Sequence, residues 1–392
     1  VIGKNCYQWA VSYLAAVCGV GICVPLDKEL PAEELKQLVM DAGVSCVLLD
    51  KAYEDIFCDI RDEKDTDLEI LVNFESRNEE KDIMSFEHLI EEGQKQLATG
   101  DRQFLDAEID AEKMAVILYT SGTTGVAKGV MLSHANICDN LMGAPTFLHV
   151  TEDDIFFSVL PIHHTYECTC GLYMGSAIAY CQGLRHIEKN MKEIKPTIFL
   201  GVPLLLEGLY KKIWKEIKKQ GKEQALKKVL LLNRLSKKIN VNLAKPFVKD
   251  IHKVFGGRMK ILISGGAAIN PKVLEFFNDI GFIAIQGYGL TECSPLAALN
   301  PDRSWLMRSD SAGHVMPGME IKVVNKGNDG VGEIVFKGPS VMLGYYNNKE
   351  ATEEVLRGGW FYTGDLGYVD NDGYIYITGR LKNVIITQNG KN

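Results

Sequence analysis

With 392 residues, 46% hydrophobic and 24% charged side chains, the chain is long and apolar enough to bury several cores, which excludes a small stapled scaffold and wholesale disorder. A net charge of −8 excludes a protein that grips nucleic acid through its overall field, because phosphate binding needs an excess of Lys and Arg. The ten cysteines form no Cys-x-x-Cys pair and sit mostly inside apolar runs, so they read as small buried hydrophobes in a reducing, cytoplasmic compartment, and Cys168-Thr-Cys170 lacks the two further ligands that a zinc site needs.

In chain order, the most apolar stretch, 10–26, contains two glycines and Pro25 and is too interrupted to span a membrane. It reads as a buried helix running into a buried strand. Both ends read as cut, with Val1 opening almost directly onto that helix and Asn392 closing shortly after an apolar run. Strands are expected at 21–26, 44–49, 70–73 and 115–119, alternating with helical patterns, which implies parallel pairing through helical crossovers. The acidic stretch 50–100 reads as surface loop. A second alternating block, 171–300, carries strand patterns at 198–202, 259–264 and 283–288. Between 207 and 260 lie sixteen Lys or Arg against four acidic residues, which leaves −20 for the rest of the chain. That polarised stretch is a solvated helical face or a patch that approaches an anionic membrane surface or coenzyme phosphates. From 313 onward, short strands at 321–324, 333–337, 367–369 and 374–378 are punctuated by Gly and Asp, the pattern of a small β-rich unit.

The strongest chemical signal is Tyr119-Thr-Ser-Gly-Thr-Thr-Gly-Val-Ala-Lys128-Gly, which follows an expected buried strand. Thr120, Ser121, Gly122, Thr123, Thr124 and Gly125 offer hydroxyls and close backbone N–H groups to a polyphosphate, and Lys128 adds a point charge. It is not the Walker pattern, since no Gly precedes the lysine and no Ser or Thr follows it. Taken alone, Thr291-Glu292 and Gly364-Asp365 read as surface turns.

Residues 120–129 resemble the phosphate loop of the adenylate-forming superfamily, which contains acyl-CoA synthetases, aryl-CoA ligases, luciferases and peptide-synthetase adenylation domains. Four more of its motifs follow in order. Ser264-Gly-Gly-Ala-Ala-Ile-Asn-Pro271 resembles the adenine-side loop, which brings in Gly266, Ala267 and Ala268. Gln286-Gly-Tyr-Gly-Leu-Thr-Glu292 resembles the phosphate and metal loop, which adds Gln286 and Leu290. Tyr362-Thr-Gly-Asp365 resembles the ribose loop, and Gly379-Arg-Leu-Lys-Asn383 the hinge. As members of these ordered motifs, Tyr288 would offer a flat face for adenine with Gly287 and Gly289 allowing close approach, Glu292 a hard oxygen ligand for Mg²⁺, Thr291 a hydrogen bond to phosphate, and Asp365 and Arg380 an acceptor and a donor for the ribose. By this resemblance Thr120 joins Glu292 around Mg²⁺, and Lys128, His164, Thr291 and Glu292 are the catalytic set. Pro161-Ile-His-His164-Thr-Tyr-Glu167 resembles the segment whose histidine lies between the acyl pocket and the coenzyme thiol channel; His163 reads instead as a hydrogen-bonded histidine at a strand end.

The resemblance implies an α/β fold of two parallel-sheet subdomains packed in a layered sandwich plus a small β-barrel-like subdomain. The expected boundaries are 1–170 with the phosphate loop, 171–305 with the acyl and adenine site, 306–380 β-rich, and 381–392 the hinge to a C-terminal lid. It implies an enzyme, an AMP-forming acid–thiol ligase that uses ATP, Mg²⁺ and coenzyme A. Superfamily members carry after the hinge a lid whose lysine meets the forming adenylate, so a chain ending at Asn392 is expected to bind substrates and turn over poorly. Ile386 stands where many relatives place a polar or basic residue. The text around Leu160 to Glu167, the helix start after Val202 and the basic stretch behind it resemble long-chain fatty acyl-CoA synthetases. A medium or long-chain fatty acid is therefore expected, in an apolar tunnel near Gly201, Gly287 and Leu290. Alternatives are an aryl- or amino-acid adenylating ligase, in which Glu167 would meet an amine, or an inactive nucleotide-binding relative. An acyl carrier protein could replace coenzyme A as acceptor, and residues 207–260 give the expectation of peripheral membrane contact.

Overall fold

The computed structural model describes residues 1–76, 81–121, 127–173, 176–236 and 245–381. The hinge expected at 381–392 lies outside these beyond Leu381, as do Lys382 and Ile386. The chain falls into two compact units. The first comprises Val1–Ile137, Pro161–Thr165 and Met342–Thr352, and the remainder forms the second. The fold is α/β throughout.

In the first unit, α1 (Tyr7–Ala15) runs into a π-turn at Ala16–Val20. The strand expected at 21–26 does not form: Gly19, at φ +145°, turns the chain outward, Val20 and Ile22 are exposed, and Cys23 makes a single parallel bridge to Val116. Helix α2 (Ala32–Asp41) buries Leu35, Leu38 and Val39 at i, i+3 and i+4 and opens with Glu33 and Glu34, whose charge suits a helix N-terminus. Strands β1 (Cys46–Leu49), β2 (Ile70–Asn73) and β3 (Met84–Ser85) pair in parallel. Strand β2 falls where a strand is expected, at 70–73, but the rest of the stretch expected to be surface loop carries α3 (Glu54–Arg61) and α4 (Phe86–Ala98). Their polar outer faces hide a few apolar anchors, of which Phe57 and Ile60 enter the core beside Leu35, Val47, Leu49 and Leu71. Strands β4 (Met114–Ser121) and β5 (Ala127–Ser133) pair antiparallel. This corrects the expected parallel pairing at 115–119, because the link between them is far too short for a helical crossover.

In the second unit, after α5 (His134–Gly143), a seven-stranded sheet is built from β6 (Ile155–Ser158), β7 (Ala177–Tyr180), β8 (Ile198–Gly201), β9 (Ile261–Ser264), β10 (Ile283–Gly289), β11 (Leu296–Leu299) and β12 (His314–Val315). The order is β12-β11-β10-β9-β8-β6-β7, parallel from β7 to β10 and antiparallel at β11 and β12. Every residue of β8 and β9 is buried, the uninterrupted apolar signature of strands covered on both faces. The crossovers carry α6 (Thr165–Glu167), α7 (Ile187–Ile194), α8 (Pro203–Lys219), α9 (Glu223–Ser236), α10 (Lys245–Val254) and α11 (Pro271–Asp279), and Phe199, Leu206, Phe255, Leu262, Phe277 and Ile280 form the core.

The small β-rich element is an antiparallel sheet of β13 (Glu320–Val324) and β14 (Gly332–Lys337), then, past β15 (Gly344–Tyr345) and α12 (Lys349–Val355), β16 (Leu356–Arg357), β17 (Trp360–Val369) and β18 (Ile375–Arg380). Strand β15 pairs with β5 within the first unit. All ten cysteines are free, but only Cys23, Cys168 and Cys293 are buried and Cys18 and Cys138 are exposed, so reading them as a buried set holds for a minority.

Candidate active site

Thr120 and Lys128 lie directly opposite each other across the β4–β5 ladder, at the end nearest the expected phosphate loop. The Thr120 hydroxyl donates to the Lys128 carbonyl at 3.5 Å, and Lys128 Nζ stands 5.0 Å from the centroid of the Tyr345 ring, close enough for a cation–π contact. The ladder thus fixes the backbone of both residues while the lysine head stays half-exposed. Gly122, Thr123, Thr124 and Gly125 lie outside the described residues, as does the side chain of Ser121.

In the segment 161–165, the Ile162 N–H donates to Asn5 Oδ1 at 3.2 Å, and His163 Nε2 lies 3.7 Å from Asp27 Oδ2, so His163 has a carboxylate neighbour rather than the strand-end role expected of it. His164 remains reachable by solvent, yet the surrounding protein desolvates it enough to hold its imidazole below the usual histidine range, Asp27 opposing the shift. A neutral imidazole is the form that accepts a proton.

Glu167 is only 3% exposed. Burial pushes its carboxyl up to about 8, against hydrogen bonds from the Ser158 side chain and the Leu160 backbone, and Oε2 has no partner among the described residues.

The other candidates belong to the second unit. Gly266 and Ala268 are exposed and Ala267 is half-buried on the turn after β9. That turn ends where Asn270 caps α11, its side chain accepting the Lys272 N–H at 3.1 Å, with Pro271 in the first helical turn. Gln286 is tied structurally, its side-chain amide donating to the Ser309 carbonyl at 2.9 Å. Gly287 and Gly289 are also required by the chain's own packing. A Cβ on Gly289 would lie 2.0 Å from the Pro295 carbonyl oxygen, and one on Gly287 2.9 Å from Leu299 Cδ1. Leu290 and Glu292 are half-buried and Thr291 is buried in the turn at Thr291–Cys293. Asn140 anchors the chain beyond that turn, donating to the Cys293 and Leu296 carbonyls at 3.0 and 2.7 Å.

The tightest constellation joins Tyr288, Asp365 and Arg380. The Tyr288 hydroxyl donates to Asp365 Oδ2 at 2.5 Å and Arg380 Nε donates to Oδ1 at 2.5 Å. Burial and the neighbouring Asp365 charge raise the Tyr288 phenol well above its usual value, so it stays a donor. Its ring stacks on Phe336, with centroids 6.1 Å apart. Asp365 occupies the inward register of β17, where alternation would place an apolar residue, and such a buried charge needs partners. The Asp365 N–H donates to Thr363 Oγ1 at 3.0 Å, and the Gly364 N–H donates to Glu333 Oε1 at 3.0 Å. Arg380 faces Asp365 because the β17–β18 register slips between Leu366 and Gly367. The slip occurs at a residue without a side chain, since a Cβ on Gly367 would meet the Tyr376 carbonyl oxygen at 2.2 Å. Sequence reasoning missed Phe336, Glu333 and Thr363. Thr363 was within reach, inside the Tyr-Thr-Gly-Asp motif; Phe336 and Glu333 come from β14, whose pairing no local pattern announces.

Among the described residues no three His, Cys, Asp or Glu side chains cluster to cage a metal. A single half-buried carboxylate such as Glu292 suits Mg²⁺, which is commonly held by one or two carboxylates while phosphates and water complete its shell.

The family model for AMP-binding enzymes matches residues 1–346. Long chain acyl-CoA synthetase 1 of Arabidopsis thaliana is 28% identical across the whole chain, and a long-chain-fatty-acid–CoA ligase of Rattus norvegicus is 30% identical. The chain spans 64% and 63% of these relatives, less than two thirds of their length. Among solved structures, ATP-bound MatB from Rhodopseudomonas palustris superposes with a TM-score of 0.71 at 26% identity, covering 98% of this chain and 68% of its own. A fatty acyl CoA synthetase of Mycobacterium tuberculosis gives 0.68 at 20% identity, with 98% and 68% coverage, a likeness of fold. With nearly the whole length matched by one family model, this chain belongs to the AMP-binding enzyme family.

Proposed function

We propose that the chain activates a medium or long-chain fatty acid with ATP and passes the acyl group to coenzyme A. A carboxylate oxygen attacks the α-phosphorus, pyrophosphate leaves, and an acyl adenylate forms; the coenzyme A sulfur then attacks the carbonyl carbon, AMP leaves, and a thioester results. The acid is already a nucleophile, so the protein's work is positioning and charge neutralisation. Asp365 and Arg380 hold the ribose, Tyr288 orients Asp365 and lines the adenine side, and Thr291 donates to phosphate. Lys128 neutralises phosphate charge. Glu292 and Thr120 would hold Mg²⁺, which when bound supplies charge neutralisation on the phosphates. His164, neutral near pH 7, can accept the thiol proton.

The observation that carries the nucleotide reading is the Tyr288–Asp365–Arg380 triangle. A carboxylate has about four lone-pair sites. Two are taken by protein donors, which fix its plane and leave two for the paired hydroxyls of a ribose. The fatty-acid reading draws support from the acyl-CoA ligase relatives.

Calorimetry with AMP, and then with non-hydrolysable acyl-adenylate analogues of rising chain length, tests both readings. AMP is expected to bind, and each added methylene should tighten binding by roughly fourfold until the pocket is filled, at ~0.8 kcal/mol per buried methylene. No AMP binding to folded protein refutes the nucleotide site. Tighter binding of aminoacyl or aryl analogues than of long acyl ones refutes the fatty-acid assignment. Thioester formation with coenzyme A, compared with an acyl carrier protein, identifies the acceptor.

A further inference from the structure

The helices α8 and α9 border an open groove of about 560 Å³ lined by Tyr210, Lys211, Trp214, Lys215, Lys218 and Lys227, with Glu223 at its rim. Nothing in the adenylation chemistry uses it. Its floor is aromatic: the Tyr210 and Trp214 rings pack on Phe276 with centroids 5.1 and 5.5 Å away. Its rim is cationic. Lys211, Lys215 and Lys218 recur at i, i+4 and i+7 along α8, forming one stripe, and are exposed.

Pairing separates this stripe from an ordinary solvated face. Lys212, one position around the helix, is bound to Glu188, and Lys227 on α9 pairs with Glu223 at 2.7 Å. Lys211, Lys215 and Lys218 form no ion pair among the described residues, although the Lys218 charge is felt by Glu223. Three ammonium groups outside any ion pair, with the paired Lys227 and Glu223 beside them and two aromatic rings between, make a local field opposite in sign to the rest of an otherwise acidic chain.

We infer that this lysine-rimmed aromatic groove docks the chain on an anionic phospholipid surface. Three features favour a lipid surface over a single soluble phosphate. The stripe from Lys211 to Lys218 extends about 10 Å along the helix at 1.5 Å per residue, more than one phosphate can bridge. Its continuation is apolar and exposed at both ends: Leu204 lies on the same face of α8, seven residues before Lys211, and Leu231, 62% exposed, follows Lys227 by one turn on α9. Tyr and Trp rings flanked by lysines have the mixed character that settles at headgroup level, where long lysine stems lie along apolar surface and their heads reach phosphate. No helix among the described residues is long and apolar enough to cross a membrane.

The test is co-sedimentation of the whole chain with phosphatidylcholine vesicles, with and without about one third phosphatidylglycerol. It does not depend on nucleotide or acid binding, so it can fail while the proposed activity stands, and the reverse. The chain should pellet with the anionic vesicles and not with neutral ones, and raising salt to ~0.5 M should release it, since that shortens the screening length to a few ångströms. The triple variant K211Q/K215Q/K218Q should partition on the order of 100-fold more weakly, at about fivefold per lysine near an anionic surface. These residues are exposed, and an unchanged thermal melt establishes that the variant folds. Equal binding of the triple variant, equal binding to neutral vesicles, or displacement from anionic vesicles by millimolar inorganic phosphate at constant ionic strength would each overturn the proposal, the last by showing a soluble-phosphate site.

Discussion

Tyr288→Phe isolates the part of the nucleotide site on which the functional reading depends. The substitution keeps the ring on Phe336 and removes one O–H donor from Asp365 Oδ2. Asp365 is 5% exposed, so water replaces that donor poorly, and the lost hydrogen bond to a charged acceptor costs about 1.5–3 kcal/mol of stability. Arg380 still donates to Oδ1, but one donor leaves the carboxylate free to rotate about its bond to the chain. A ribose then has to fix the orientation that the tyrosine fixed beforehand. Paying that ordering cost on binding should weaken AMP about tenfold, or ~1.4 kcal/mol. Calorimetric titration of AMP into wild type and variant, with a thermal melt of each, measures both quantities. The opposite outcome is informative. If the variant melts lower but binds AMP equally or more tightly, the tyrosine hydroxyl occupies a lone pair that the ribose needs, and the positioning argument is wrong.

Two further outcomes follow from the structure. Glu167→Gln should remove a pH dependence of stability: a carboxyl pushed up to about 8 when folded and ordinary when unfolded releases a proton on unfolding between those values. Wild-type stability should therefore fall by about 3 kcal/mol from roughly pH 5 to pH 7, at ~1.4 kcal/mol per unit, level off above pH 8, and show that fall in denaturant titrations only while Glu167 is present; equal slopes in both proteins would refute its buried, neutral state. Gly367→Ala should force the added Cβ against the Tyr376 carbonyl, cost about 1–3 kcal/mol, and weaken AMP binding by loosening Arg380 from Asp365; an unchanged AMP affinity would show that the register slip does not matter to the site.

The readable parts of this fold are those where one physical requirement dominates the local sequence. Strands β8 and β9 are legible because central parallel strands must be apolar on both faces, and Ile198-Phe-Leu-Gly201 and Ile261-Leu-Ile-Ser264 are little else. The helix start at Pro203 is legible because proline suits a first turn, where its missing N–H costs nothing. The errors arise where two requirements write the same letters. Residues 21–26 are apolar because Val24 and Leu26 are buried, and burial without a ladder looks like a strand. Residues 50–100 are polar because α3 and α4 expose most of their surface, so a polar average conceals two helices held by a few anchors such as Phe57 and Phe86. Part of the adenine-side motif has a second author in the fold itself, since Asn270 and Pro271 begin a helix whether or not a nucleotide binds.

The site shows the same division at closer range. That the strands of Asp365 and Arg380 lie side by side is nearly readable, because Asn371-Asp-Gly373 marks the turn between them. Counting outward from that turn, Val369 faces Ile375, Tyr368 faces Tyr376 and Gly367 faces Ile377, so regular pairing would bring Asp365 opposite Gly379 and leave the carboxylate without its arginine. One extra residue taken up next to Gly367 shifts the remainder of the ladder and delivers Arg380 instead. The glycine that permits this is visible in the sequence, but its consequence depends on how closely the Tyr376 carbonyl approaches, which only the folded sheet determines. Tyr288 is farther still, 77 residues upstream of Asp365, and reaches it because β10 and β17 bring it there. Side-chain chemistry can thus be assigned from residue type, while the pairing that turns a buried aspartate into an oriented ribose acceptor belongs to the register of two strands and the position of a third.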